Sequence, residues 1–178
     1  ERALKLVRAL RYDTKYEPLP GVSLILRDAG HILGSSSVLL ECSDEGVQRT
    51  IVFSGDLGQY DSPILLDPYP FEQADLVIME STYGDRLHRD REATLAEFGE
   101  IIAAADASRG NLIIPAFAIG RSQEVLYLLG LHYDAWQLCD WQVFLDSPMA
   151  IEASEVYWKH VDRYDPEALR LRADFTSM

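Results

Sequence analysis

The chain has 178 residues, of which 48% are hydrophobic, and a formal net charge of −13 at pH 7. The apolar content is ample for a buried core and excludes a disordered chain. The negative charge excludes a surface that is basic throughout, since Lys and Arg supply most of the non-specific affinity for nucleic acids. No run approaches the roughly 18 apolar residues of a membrane span, so the sequence predicts a cytoplasmic protein with no membrane partner.

The first part of the chain predicts one short helix followed by sheet strands. Apolar residues at helical spacing predict a helix over residues 2–11, ending before a loop at 16–21 that contains two prolines. Segments rich in apolar and β-branched residues then predict strands at 22–26, 37–41 and 50–53. A proline-rich passage at 61–70 follows the last of these strands.

The second part of the chain alternates between strand and helix patterns. Strands are predicted at 76–79, 111–115 and 142–145, and helices at 92–107, 122–131 and 151–160. Such alternation predicts parallel βαβ units. The expected fold class is therefore α/β, with an αβ-sandwich portion over residues 1–80, a boundary near Ser81 and a Rossmann-like portion over residues 81–178.

Two loops carry side chains that suit a metal ion. His31 lies between glycines, which permit a close backbone approach, and its imidazole can reach an ion from a loop. Asp56 follows the strand at 50–53 after only Ser54 and Gly55, and its two carboxylate oxygens can bridge two metals. Each residue also has a plain alternative: His31 as a turn histidine bonded to the backbone, and Asp56 as an ordinary turn residue.

A third acidic candidate, Glu80, ends the apolar strand at 76–79. A charged group at the end of a buried strand needs a partner, and ligands bind at the carboxyl ends of strands in open α/β sheets. The alternative is that Glu80 caps the next helix or forms a structural ion pair.

Two residues at predicted helix starts suit an RNA phosphate. Arg121 lies where a strand passes into a helix, and free amides there attract anions that arginine binds bidentately. Ser147 precedes another helix and can donate to a phosphate. The alternatives are that Arg121 pairs with a surface acid, and that Asp146 and Ser147 only cap the helix.

The aromatic residues Tyr83 and Phe117 lie just beyond the ends of the strands predicted at 76–79 and 111–115. Each ring can stack on a base of single-stranded nucleic acid or pack in the core, and the sequence leaves both open. We expect the remaining histidines to be solvated: His88, His132 and His160.

Five segments, in order and spacing, resemble the β-CASP branch of the metallo-β-lactamase-fold nucleases. They are DAGHILGS (28–35), FSGDLG (53–58), ESTYG (80–84), PAFAIGRSQE (115–124) and DSPMA (146–150). The resemblance extends from about residue 4 to residue 149. It implies the C-terminal part of a first metallo-β-lactamase segment, from an αββα sandwich, over residues 1–80. It further implies the N-terminal part of a Rossmann-like β-CASP domain over residues 81–178.

The resemblance also implies roles for three residues. His31 matches a ligand of one zinc ion, and Asp56 matches the carboxylate that bridges two zinc ions. Glu80 matches an acidic residue that orients a histidine during catalysis, so Asp56 and Glu80 are the expected catalytic residues. The implied function is zinc-dependent hydrolysis of phosphodiester bonds in single-stranded RNA, endonucleolytic or exonucleolytic, in RNA processing or decay.

The chain departs from the family pattern in its histidines. The His-x-His-x-Asp-His signature does not occur in these residues, and none of the four histidines matches the two later ones of the branch. Since stable zinc sites use three or four ligands, we expect the isolated chain to bind zinc weakly or not at all and to be inactive. Two alternatives stay open: a catalytically dead RNA-processing scaffold, and a hydrolase of the same fold acting on DNA or a small molecule. The sequence also leaves open whether the protein forms a homo-oligomer.

Overall fold

The computed structural model describes residues 3–176, with only the backbone described at 3, 4, 44 and 174–176. The chain forms two compact units, Glu1–Glu80 and Ser81–Met178. The first contains a β-sheet and the second contains helices, so the predicted α/β class is confirmed. Within the described part of the chain, none of the helices has both the length and the apolar character needed to cross a membrane.

The first unit contains a five-stranded sheet whose spatial order follows the chain order. Its strands are β1 (Lys15–Leu19), β2 (Val22–Asp28), β3 (Ser36–Asp44), β4 (Val47–Phe53) and β5 (Leu76–Ile78). Neighbouring strands are antiparallel from β1 to β4, whereas β4 and β5 are parallel. The four strands predicted in this unit are therefore confirmed, and β2, β3 and β4 extend beyond their predicted bounds.

The prediction of a helix over residues 2–11 was wrong for most of its length. The described residues form only a short 3-10 turn at Ala3–Leu6, and residue 2 lies outside the described part. Leu6 and Val7 are 82% and 72% exposed. A short helix is marginal in water unless tertiary packing buries its apolar face, and these side chains have no such burial.

Strand β1 was not predicted, because the two prolines at 18 and 20 favoured a loop. It pairs with β2 through Lys15↔Ile25 and Tyr16↔Leu24, and the register is irregular before Leu19↔Val22. Proline is tolerated on an edge strand, where one side of the backbone needs no ladder partner. The irregularity coincides with Pro18.

A polar network crosses strands β1, β2 and β3. The Glu41 carboxylate accepts hydrogen bonds from the Lys15 ammonium and from the Ser23 hydroxyl, the latter at 2.9 Å. These two hydrogen bonds, first that of Lys15 and then that of Ser23, lower the pKa of Glu41. A carboxylate with a lowered folded-state pKa stabilises the fold above its unfolded-state pKa of about 4.3, and this stabilisation is lost as the pH falls through the folded value.

We therefore expect Glu41→Gln to lower the free energy of unfolding at pH 7 by less than about 1 kcal/mol, because the pair is partly exposed and screened by solvent. The difference from the wild type should shrink as the pH falls below the lowered pKa. Urea unfolding followed across this pH range measures both effects. Glu17→Gln, at an exposed position on β1, is the matched control. An equal loss in both variants, or a loss that persists at low pH, would contradict the assignment.

The second unit contains four α-helices: α1 (Arg91–Ala107), α2 (Arg121–Leu131), α3 (Pro148–Lys159) and α4 (Pro166–Thr176). Helix α2 packs against both α3 and α4. The three predicted helices are confirmed, with α3 starting three residues earlier than expected. Helix α4 was not predicted.

The strands predicted at 111–115 and 142–145 are wrong for the described structure. Neither segment belongs to a strand, and Ile113 and Phe144 are 85% and 80% exposed. A strand needs a neighbour for its backbone amides and carbonyls, and neither segment has a ladder partner within residues 3–176. The expected parallel Rossmann-like sheet is therefore not formed in the described part of this unit.

An aromatic cluster links α1 to the end of α2. The Phe98 and Trp136 rings meet edge-on with centroids 5.0 Å apart, and His132 stacks on Trp136 at 4.4 Å. The expectation that His132 is solvated was wrong, because its ring packs against an indole face. His160 is exposed, as expected.

Candidate active site

The loop after β2 and the loop after β4 touch through their backbones. The Gly58 amide donates a hydrogen bond of 2.8 Å to the Ala29 carbonyl. A Cβ atom on Gly58 would lie 1.8 Å from the Gly30 carbonyl oxygen, so only glycine permits this approach. The contact places His31 and Asp56, two of the predicted site residues, on adjoining loops with both residues exposed.

The His31 loop is fixed on its other side by the segment at 66–69. The Tyr69 amide donates to the Asp28 carbonyl at 2.9 Å, and the Arg27 guanidinium lies 4.2 Å from the centre of the Tyr69 ring. Gly30 has a φ of 63°, and a Cβ atom there would lie 2.8 Å from the Pro68 nitrogen. Tyr69 was not among the predicted site residues, although it lies in the proline-rich passage at 61–70.

Hydrogen bonds within the loop fix the backbone at His31. The Ser35 hydroxyl accepts from the amides of His31 and Ile32, at 3.2 and 3.3 Å. The Asp28 carboxylate accepts from the Gly30 amide at 3.0 Å. The turn is therefore held by its own side chains and leaves the His31 residue at the surface.

Glu80 holds the Asp56 loop. One carboxylate oxygen accepts from the Leu57 amide at 2.7 Å, and the Glu80 amide donates to the Ser54 hydroxyl at 3.1 Å. The alternative that Glu80 caps the next helix is wrong, because Asp90 caps α1 by accepting from the Ala93 amide. Glu80 thus contacts the residue that follows Asp56 and acts on the position of that loop.

Ser54 is a further residue that the sequence analysis did not single out. It is 6% exposed, and its amide donates to the Ile78 carbonyl at 2.9 Å. The buried Ser37 hydroxyl donates to the Ser54 carbonyl at 2.6 Å. These bonds connect the loop to β3 and to the end of β5, so its position depends on the sheet.

The two joined loops carry side chains of the types that bind zinc. Imidazole nitrogen and carboxylate oxygen are both usual zinc ligands, and His31 and Asp56 supply one of each. Across the residues that the structure describes, no group of three or more His, Cys, Asp or Glu is placed to hold a metal ion. By donor type alone, the two side chains suit zinc, but they would account for only two of the three or four protein ligands that a stable zinc site takes.

The two predicted phosphate contacts lie in the second unit and make local bonds. Arg121 forms an ion pair with Glu124, three residues along α2, and its side chain is 62% exposed. Ser147 caps α3 by accepting from the Ala150 amide at 3.2 Å. The alternatives named for these residues, an ion pair for Arg121 and a helix cap for Ser147, are thus both observed. A role for either residue in binding phosphate stays a prediction.

Gln123, which was not among the predicted site residues, links the starts of α2 and α3. It is 5% exposed. Its carbonyl oxygen accepts from the Gly120 amide at 2.8 Å, while its amide nitrogen donates to the Ala150 carbonyl and the Ser154 hydroxyl. A glutamine at the third helical position is a recognised capping signal, and it could have indicated this residue.

The last third of the chain matches a known domain family. Residues 122–178 match the Beta-Casp domain. The resemblance to the β-CASP family is confirmed. The match lies within the second unit, whose helices α2, α3 and α4 it includes almost completely.

Three relatives support the β-CASP assignment over nearly the whole chain. A ribonuclease of Thermus thermophilus is 40% identical over 94% of this chain and 37% of its own length. An RNase J-like protein of Methanocaldococcus jannaschii is 29% identical over 94% of this chain and 39% of its own length. Cleavage and polyadenylation specificity factor subunit 3 of Dictyostelium discoideum is 30% identical over 98% of this chain and 22% of its own length. The chain therefore spans well under half of each relative.

We expect Gly58→Ala to lower the free energy of unfolding, because the added Cβ would collide with the Gly30 carbonyl. The loss should be about 1–3 kcal/mol or more, since overpacking usually costs that much. Urea unfolding monitored by circular dichroism measures the loss. Gly110→Ala is the control, since its Cβ would lie 3.1 Å from the rotatable Ser108 hydroxyl oxygen and 3.8 Å from the Ala105 carbonyl oxygen. Equal stabilities of the two variants would contradict the close contact between the loops.

We expect Glu80→Ala to leave the Leu57 amide without its carboxylate acceptor, at a cost of about 1–3 kcal/mol. Glu80→Gln keeps an acceptor oxygen and should lose less. Hydrogen exchange at the Leu57 amide should be faster in Glu80→Ala than in Glu80→Gln. If the amide exchanges at the wild-type rate in both variants, Glu80 does not hold the loop.

Proposed function

We propose that the protein containing this chain is a zinc-dependent hydrolase that cleaves phosphodiester bonds in single-stranded RNA. The observation that carries the proposal is the backbone contact between the His31 loop and the Asp56 loop, made at Gly58. It joins two loops, each of which carries one exposed residue of a type that binds zinc, His31 and Asp56. The RNA substrate is supported by the names of the relatives, which include a ribonuclease and an RNase J-like protein.

Each residue then has a distinct part in the reaction. His31 and Asp56 would hold zinc, and the ion when bound would supply a Lewis acid that activates water and offsets charge on the phosphate. Glu80 keeps Asp56 in position through the Leu57 amide. Loss of the contacts that support a metal ligand lowers metal affinity or activity. The bond from the Leu57 amide to Glu80 is therefore needed for the proposed site to function.

The second unit would bind the RNA strand. Arg121 is largely exposed despite its bond to Glu124, and a phosphate can compete for an exposed guanidinium because surface ion pairs are weak. Ser147 lies at a helix start that Gln123 ties to the Arg121 helix. We expect the 178 residues alone to cleave RNA poorly or not at all, because they contribute two zinc ligands.

The direct test is metal-dependent cleavage of labelled single-stranded RNA by the intact protein and its Asp56→Ala variant. We expect the variant to lose more than the 10- to 100-fold that follows from disturbing a ligand's support. Asp134→Ala, which removes an exposed carboxylate from the second unit, is the control and should cleave at the wild-type rate.

Undiminished cleavage by Asp56→Ala would refute the ligand assignment. An intact protein that binds RNA without cleaving it would instead support the scaffold alternative. Cleavage of single-stranded DNA at an equal rate would contradict the specificity for RNA.

A further inference from the structure

A short loop that follows Glu80 in sequence carries a pre-formed stack of aromatic rings, and we call residues 83–89 the aromatic loop. The Tyr83 and His88 ring centroids are 3.8 Å apart, with 33° between the ring planes. The Arg86 guanidinium lies 5.2 Å from the centre of the Tyr83 ring. His88 was expected to be solvated, and it is exposed, yet it is held against Tyr83 by this contact.

Both ends of the aromatic loop are fixed by hydrogen bonds. The turn before it closes when the Gly84 amide donates to the Ser81 carbonyl at 3.0 Å. At the other end, the Asp90 carboxylate accepts from the Ala93 amide at 2.8 Å and caps α1. The rings are therefore presented from a loop anchored on both sides, which lowers the entropy that a ligand must overcome on binding.

The aromatic loop remains open to solvent although it is rich in aromatic and basic groups. Tyr83 is 49% exposed and Leu87 is 95% exposed. Core packing, the alternative for Tyr83, would have buried the ring. An aromatic ring that is half exposed and already stacked on one neighbour can extend the stack with a nucleobase.

The arginines near the aromatic loop differ in how they are neutralised. Arg89 pairs with Glu97, and Arg91 pairs with Glu124. Arg86 forms no ion pair among the described residues and contacts an aromatic ring instead. Its charge is therefore available to a phosphate, although Asp85 beside it offsets part of the local field.

We propose that the aromatic loop is a contact site for single-stranded RNA, in which a base stacks on the Tyr83–His88 pair and Arg86 binds an adjacent phosphate. The proposal rests on the proposed function, since it takes RNA as the substrate. It adds a binding site outside the His31 and Asp56 loops. Single-stranded RNA suits this site because its unpaired bases are free to stack on aromatic rings.

The test is equilibrium binding of a fluorescent oligouridine phosphorothioate, which resists cleavage, by the intact protein. Tyr83→Leu should raise the Kd about 5- to 150-fold, the effect expected for one lost base stack, whereas Tyr83→Phe keeps the ring and should bind like the wild type. Tyr133→Leu, with a ring of similar exposure at 45%, is the matched control and should not alter the Kd.

Salt dependence separates the phosphate contact from the stack. The slope of log K against log salt should fall by about 0.7 in Arg86→Gln, the value for one phosphate contact on a single strand. It should stay unchanged in Tyr83→Leu, and Arg170→Gln, at an exposed position on α4, should change neither slope nor Kd. If the loop had a purely structural role, the variants would have a lower melting temperature, and Arg86→Gln would not differ from Tyr83→Leu in the salt slope.

The possible results distinguish this proposal from the proposed function. If the wild type binds and cleaves RNA while Tyr83→Leu and Arg86→Gln bind as tightly as the controls, the aromatic loop is not a contact site and the nuclease assignment stands. If the wild type neither binds nor cleaves RNA, both proposals fail. Weaker binding in Tyr83→Leu together with an equal loss in Tyr133→Leu would also overturn the site.

Discussion

The candidate site depends on one close backbone contact, the hydrogen bond from Gly58 to Ala29. It forms only because Gly58 has no Cβ, which would otherwise overlap the Gly30 carbonyl. The loops on either side then carry His31 and Asp56 at the same end of β2 and β4, the two strands that flank β3. Contacts from Glu80 and Tyr69 hold each loop from its outer side, so the geometry of the proposed metal ligands is set by the sheet rather than by the ligands themselves.

A net charge of −13 requires that any RNA contact be made by few cations. Three arginines of the second unit are paired with acids: Arg89 with Glu97, and Arg91 and Arg121 with Glu124. Arg86 instead lies beside an exposed aromatic stack. Stacking does not depend on net charge, so an acidic protein can gain affinity for single-stranded RNA from rings, with one guanidinium to fix the backbone.

The sequence predicted well the parts of the fold whose signals are local. Strands β2 to β5 and helices α1 to α3 show clear periodicity or capping residues, such as Ser147 before α3. The strands at 111–115 and 142–145 were wrong because strand formation depends on a partner distant in sequence. The family motifs indicated His31, Asp56 and Glu80, but the roles of Ser54 and Gln123 arise from hydrogen bonds between segments, which no motif spacing reveals.

The central claim is that the joined loops present His31 and Asp56 as ligands of one zinc centre. Anomalous diffraction at the zinc absorption edge, on crystals of the intact protein grown with zinc, tests it most directly. The account predicts an anomalous peak about 2.0–2.2 Å from a His31 ring nitrogen or an Asp56 carboxylate oxygen, with both residues in the shell of the same centre. Zinc peaks away from both residues, or a centre that includes neither, would contradict it.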